Sequence, residues 1–263
     1  MKRIIALIDD NSDREIVIAS AVELALLLNI EVTVCHLVIA PSNWEQLNRS
    51  SRDKHPTSKL KINEARFLMD EILGEIRLKN LKAKKRFLYF DSTEKDPVLD
   101  FQKDELIVME KKLLNRGRNH ALSDLLFNLE PSKLILSAPL QTNSISDIVF
   151  TSNFHKINSE TSQIINELYR HLVFNLNLVY INTKEKQENS DISINNMKNV
   201  IAANGFSRTG ISIFHSDQKL HGAELFANMK GGDLIILECS ERITNLELSK
   251  LNLPIIIINK CEA

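Results

Sequence analysis

The chain spells one strand-and-helix arrangement twice, and a duplication of that kind constrains most of what it can fold into. An apolar run, Ile4-Ile5-Ala6-Leu7-Ile8, stops at Asp9 and gives way to a helical pattern. Near residue 148 the run Ile148-Val149-Phe150-Thr151-Ser152 stops at Asn153 and does the same. Glu105-Leu106-Ile107-Val108-Met109-Glu110 returns as Asp233-Leu234-Ile235-Ile236-Leu237-Glu238. Leu134-Ile135-Leu136-Ser137-Ala138 returns as Ile255-Ile256-Ile257-Ile258-Asn259. Short apolar runs alternating with helical periods suit buried strands joined by right-handed crossovers, hence a parallel sheet. The repetition predicts two α/β units, residues 1–143 and a shortened 144–263, with function sought where strands give way to helices.

The shortening is readable in the offsets. Ile4 and Ile148 are 144 residues apart, Leu106 and Leu234 128, and Leu134 and Ile255 121. Material is therefore lost twice in the second copy. One loss falls in the polar excursion from Pro41 to about Lys59, which has no period and holds the only tryptophan, Trp44. The other falls between the fourth and fifth strands.

Asp9-Asp10-Asn11-Ser12-Asp13 is a cluster of helix-capping residue types. The helix after it places Ile16, Ala19, Val22, Ala25 and Leu28 on an apolar face broad enough to lie on a sheet. The pattern predicts further helices near 60–78, 97–102, 121–129, 160–172, up to Asn204, and 220–229. Further strands are expected over 31–38, 83–89, 176–181 and 210–214.

Composition excludes several function classes. Lys and Arg number 33 against 34 Asp and Glu, so bulk electrostatics give no reason to expect a nucleic-acid partner. The basic run from Lys79 to Arg86 reads as a solvated helix end. Cys35, Cys239 and Cys261 are too few and scattered for a disulfide framework or a CxxC metal site. The histidines show no HxxxH or HExxH spacing, and Cys35 and His36, adjacent on a strand, point to opposite faces. No metal is therefore expected. Neither the GxSxG elbow nor the SGGxDS pattern of ATP pyrophosphatases is present. The amino terminus, Met1-Lys2-Arg3 and then five apolar residues, carries no secretory signal pattern. No run approaches the ~20 apolar residues of a membrane span. The expectation is a soluble cytoplasmic protein without a membrane partner.

Taken in order, these pieces resemble the universal stress protein family in its tandem form. The resemblance rests on Ile4 to Asp9 followed by a helix, on the strand ending Cys35-His36-Leu37-Val38, and on the two DLIVMG-like strands. It is carried further by Phe150-Thr151-Ser152-Asn153-Phe154, similar to a PTDFS start, and by Leu253-Pro254-Ile255-Ile256-Ile257, similar to a closing PVLVV strand. It implies two tandem Rossmann-like domains of the adenine nucleotide alpha hydrolase kind. Each is a five-stranded parallel sheet of order 3-2-1-4-5 flanked by helices, and units pair through their last strands. Members that bind ATP carry a glycine pair after strand four and Gly-Ser/Thr opening the last helix. Backbone N–H groups there close on phosphate.

This chain departs from that loop in both copies. Glu110 stands where the first glycine belongs and Leu113 where the second does; the Gly-Ser pair falls on His120-Ala121. In the second copy the two glycine positions hold Glu238 and Glu241. A carboxylate about 5 Å from a phosphate oxygen costs roughly 3 kcal/mol at an effective dielectric of 20, about two orders of magnitude in affinity. The expectation is a degenerate nucleotide motif with no ATP bound in the family manner.

Asp9 reads either as a ribose or adenine contact or as a loop carboxylate. Gly117 between Arg116 and Arg118 reads either as a substitute anion loop or as a turn. The leading expectation is a stress-response or adaptor protein that acts by binding, is not an enzyme, and uses no cofactor. The alternative is an ATP or AMP sensor using Asp9, the second strand at Val38, and Arg116, Gly117 and Arg118. An enzyme of the wider nucleotide-hydrolase group is a third. Expected partners are the two domains themselves, paired through the apolar closing strands at Ile255–Ile258 and Leu134–Ala138, a second copy of the chain in a homodimer, and an unidentified protein.

Overall fold

Five consecutive apolar residues, Ile4 to Ile8, are each no more than 1% exposed, as a central parallel strand requires. In the computed structural model the structure describes residues 1–90, 101–102, 104–114, 132–184, 187–239, 248 and 251–259. They fall into two compact units, Lys2–Pro131 and Ser132–Ala263. The expected helix near 121–129 lies outside the described residues. So does that near 97–102, except Phe101 and Gln102, which are in no helix.

The first unit runs β1 (Arg3–Asp9), α1 (Arg14–Leu28), β2 (Glu31–Ile39), α2 (Arg49–Arg52), α3 (Pro56–Leu78), β3 (Ala83–Phe90), β4 (Glu105–Glu110) and α4 (Lys111–Leu114). Its strands are ordered β3-β2-β1-β4 and are all parallel. α1 starts at the side chain of Asp13, which accepts from the Ile16 N–H, and ends at Asn29 in the left-handed region. It buries Val17, Ala21, Val22, Leu24 and Ala25. α3 opens on Pro56, whose missing N–H costs nothing in a first turn.

The polar excursion after β2, which has no period of its own, packs through its one tryptophan. Trp44 is 2% exposed and packs with Val38, Ala40, Ile62 and Ala65. The Arg52 Nε donates to the Trp44 carbonyl at 3.2 Å, and its guanidinium lies 5.6 Å from the indole centroid. Burial of one large ring outweighs the polarity of the rest of the segment.

The second unit runs β5 (Ser132–Leu136), β6 (Asp147–Thr151), α5 (Ser159–His171), β7 (Asn175–Asn182), α6 (Ser190–Asn204), β8 (Thr209–His215), α7 (Lys219–Lys230), β9 (Leu234–Cys239) and β10 (Ile255–Asn259). Its order is β5-β10-β9-β6-β7-β8. All pairs are parallel except β5 with β10, where Ile135 faces Ile255, Leu134 faces Ile256 and Lys133 faces Ile257. Asn158 and Asn189 cap α5 and α6 through their side chains. Gly231, at φ +68°, closes α7 in the left-handed region, which glycine enters without a Cβ penalty.

Register ties the two copies together. Ile4 lies opposite Val32 and Leu106, and Ile148 opposite Leu176 and Leu234. Leu106 and Leu234 are therefore equivalent, and so are Glu110 and Glu238, four residues further on.

Candidate functional site: a crevice held by an internal carboxylate

Open parallel sheets bind ligands outside the carboxyl ends of their strands, where connections leave in opposite directions. In the first unit that point lies between β1 and β4. Glu110, the last residue of β4, is 2% exposed. Its Oε2 accepts the N–H of Asp13, the residue that caps α1, at 2.6 Å. The Lys112 ammonium is 2.9 Å from Oε1, and its hydrogen bond to Glu110 raises the Lys112 pKa. The carboxylate thus sits at the cap N–H of α1, where the positive helix end favours an anion.

The second unit repeats the contact with different neighbours. Glu238 is 1% exposed. Its Oε1 accepts the N–H of Asn158, the cap of α5, and the Thr161 hydroxyl at 3.2 Å. Its Oε2 accepts the Ser152 hydroxyl at 2.7 Å. In both units a glutamate from the fourth-strand position satisfies the cap N–H of the first helix. It does from a distance what the glutamate of a capping box does locally. Hydrogen bonds to an ionised carboxylate contribute about 1.5–3 kcal/mol each when buried.

Asp9 lies at the end of β1, 7% exposed. Its Oδ1 accepts the N–H groups of Asn11 and Ser12, at 3.1 and 2.8 Å, and the Ser12 hydroxyl at 2.7 Å. This is a local turn held by a carboxylate. Asp9 also lines a cavity of about 680 Å³ together with Asp10, Asp13, His36, Lys61 and Glu64. Lys61 Nζ is 2.9 Å from Asp10 Oδ2, and His36 Nε2 is 3.8 Å from Asp10 Oδ1. Burial lowers the His36 pKa against the pull of Asp10 and Asp9. Val38 is fully buried beside Trp44. Arg116, Gly117 and Arg118 lie outside the described residues, as do His120, Ala121 and Glu241.

The structure therefore brings Asp9 together with Asp10, His36 and Lys61, which the sequence reading did not group. That reading treated Glu110 and Glu238 only as obstacles to phosphate and missed their hydrogen-bond partners. The available signal was a glutamate at equivalent places in two copies, each facing a run of helix-capping residues. Among the described residues no group of three or more His, Cys, Asp or Glu is placed to hold a metal ion. No helix among them is long and apolar enough to cross a membrane.

A mostly parallel open sheet with helices, repeated along the chain and with its crevices at the β1–β4 and β6–β9 carboxyl ends, defines an α/β protein of the Rossmann-like class. Within that class the fold is that of universal stress proteins. A universal stress protein from Archaeoglobus fulgidus superposes with a TM-score of 0.69 at 11% identity, covering 98% of this chain and 96% of its own. A putative universal stress protein from Pseudomonas aeruginosa gives 0.62 at 10%, covering 98% and 93%. A functionally unknown protein from the same species gives 0.61 at 9%, covering 98% and 92%. No family model matches the sequence, and no curated protein does.

Proposed function

We propose that this chain is a stress-response adaptor that acts by binding another protein and takes up no nucleotide in the universal-stress-protein manner. The likeness of fold supports the stress-response part. One observation carries the rest. Glu110 and Glu238, each nearly fully buried, put a carboxylate of the chain itself at the end of the fourth strand, where the resemblance places the first glycine of the phosphate loop, and each accepts one helix-cap N–H there, of Asp13 and of Asn158. A second anion there meets a carboxylate already in place, and repulsion of roughly 3 kcal/mol at 5 Å and an effective dielectric of 20 opposes it. Nucleotide sensing through Asp9 is the second reading, favoured by the cavity that Asp9 lines.

Mass spectrometry of small molecules released from denatured protein, with calorimetry against magnesium ATP, tests the proposal. The expected result is an empty protein with no heat of binding at millimolar ATP. Near-stoichiometric ATP, ADP or AMP would sink it in favour of the sensor.

A further inference from the structure

The outer surface of the α1–α3 pair is acid-lined and apolar at its base. Two cavities run along it, the one at Asp9 and a second of about 260 Å³ whose apolar floor is the partly exposed Ile18 and Leu68, with Val22, Ile72 and Ile76 almost wholly buried beneath them. Arg14, Glu15 and Leu68 line both, so the two join into one trough within the first unit. Its walls hold Asp9, Asp10, Asp13 and Glu15 at one end and Glu64, Glu71 and Glu75 along α3, against Arg14, Lys61 and Lys79. Seven carboxylates thus face three cations, and burial favours the neutral form of His36.

Beside the trough α3 presents a second unusual feature. Leu60, Phe67 and Leu78 are 59, 79 and 85% exposed. Their spacings of seven and eleven residues are two and three helical turns, so they share one face. Phe67 precedes Leu68 of the trough floor, and Glu64 and Glu71 flank it by one turn on either side. A solvent-facing phenylalanine between carboxylates, next to an apolar trough, matches a ligand that is apolar on one side and cationic on the other.

We infer that the α1–α3 trough is a docking site for a basic amphipathic helix of a partner protein. The inference rests on the adaptor reading above and names the chemistry of its partner. From Lys61 to Leu78 the helix extends about 25 Å at 1.5 Å per residue, the length of roughly 17 residues of a docked helix. The apolar side chains of that helix enter the trough over Ile18 and Leu68 and cover Phe67. Its lysines and arginines meet Glu64, Glu71 and Glu75. This is helix-in-groove recognition, with charge setting partner choice and on-rate.

The full chain is titrated into a labelled 18-residue synthetic peptide that carries leucines on one helical face and lysines on the other. A peptide of the same composition with scrambled order is the control, and fluorescence polarisation reads binding at two salt concentrations. The ordered peptide is expected to bind at least tenfold tighter than the scrambled one. Phe67→Ser and Glu71→Lys, both on the exposed face and checked for unchanged circular dichroism, should each weaken it at least tenfold. Equal binding of the two peptides, indifference to both variants, or no binding at several hundred micromolar overturns the inference. So does sedimentation showing a dimer that Phe67→Ser dissociates, because the occupant is then a second copy. Any of these failures in a nucleotide-free protein leaves the closed-crevice reading intact, whereas bound nucleotide removes that reading first.

Discussion

The Glu110 carboxylate receives the backbone N–H of Asp13 at 2.6 Å, joining residues 97 apart in sequence. The contact links the last residue of β4 to the cap of α1, across the place where an open sheet ordinarily receives its ligand. Glu238 makes the same link to Asn158 and adds Ser152 and Thr161.

Removal of these carboxylates should cost unequal amounts. Glu238→Ala removes the acceptor of two buried hydroxyls, Ser152 and Thr161, and of the part-buried Asn158 N–H, and is expected to lower stability by about 3 kcal/mol. Glu110→Ala removes the acceptor of one part-buried N–H, that of Asp13, and the Lys112 it also releases is largely exposed, so about 1–2 kcal/mol is expected. Glu238→Gln, which keeps an acceptor, should fall between wild type and Glu238→Ala. Urea midpoints at constant m check the ranking, and a larger effect at Glu110 would contradict it.

Ile257→Lys probes the β5–β10 pairing. Ile257 is 1% exposed and faces Lys133 across the antiparallel pair. The substitution removes apolar burial and sets a second ammonium opposite the first, a combined cost of at least about 3 kcal/mol. Thermal unfolding should show a drop of many degrees or loss of soluble protein. An unchanged melting temperature would count against the pairing.

His36 should make the protein acid-sensitive. Its pKa is below 6.5 in the folded state, chiefly through burial, with Asp10 and Asp9 opposing. Below pH 6.5 the unfolded chain takes up a proton that the folded chain resists, so stability falls with pH there. Urea unfolding at pH 7.5 and 5.5 should show that loss, and His36→Asn should reduce the difference. An equal pH dependence in the variant would remove His36 as its source.

Cys35 should be chemically silent. Burial pushes its thiol from 9.0 up to about 12, partly offset by Arg86, and its side chain is 0% exposed. In a Cys239→Ser, Cys261→Ser background a thiol reagent at pH 8 should react only at the rate of unfolding. The raised pKa also contributes stability that is full below pH 9 and is lost as pH climbs toward 12. Reaction within seconds in native buffer would show that the strand opens.

Much of the fold is present in local pattern. The runs at Ile4, Leu106, Ile148 and Leu234 became strands because apolar runs of that length are buried on both faces of a parallel sheet. The offset from Leu106 to Leu234 is the offset the register displays. The order of the excursion after β2 was not legible in the sequence because it comes from one residue, Trp44, packing on Ile62 and Ala65 of a later helix. No periodicity in the segment itself reports such a contact.

The sequence by itself determined the repeated strand-and-helix order and the glutamates that close the matching strands at 110 and 238, since both depend on residue type and spacing alone. Only the tertiary structure decided what those glutamates do. Whether a buried carboxylate is an obstacle or an anchor depends on which amides face it. Those amides, at Asp13 and Asn158, come from chain 97 and 80 residues away.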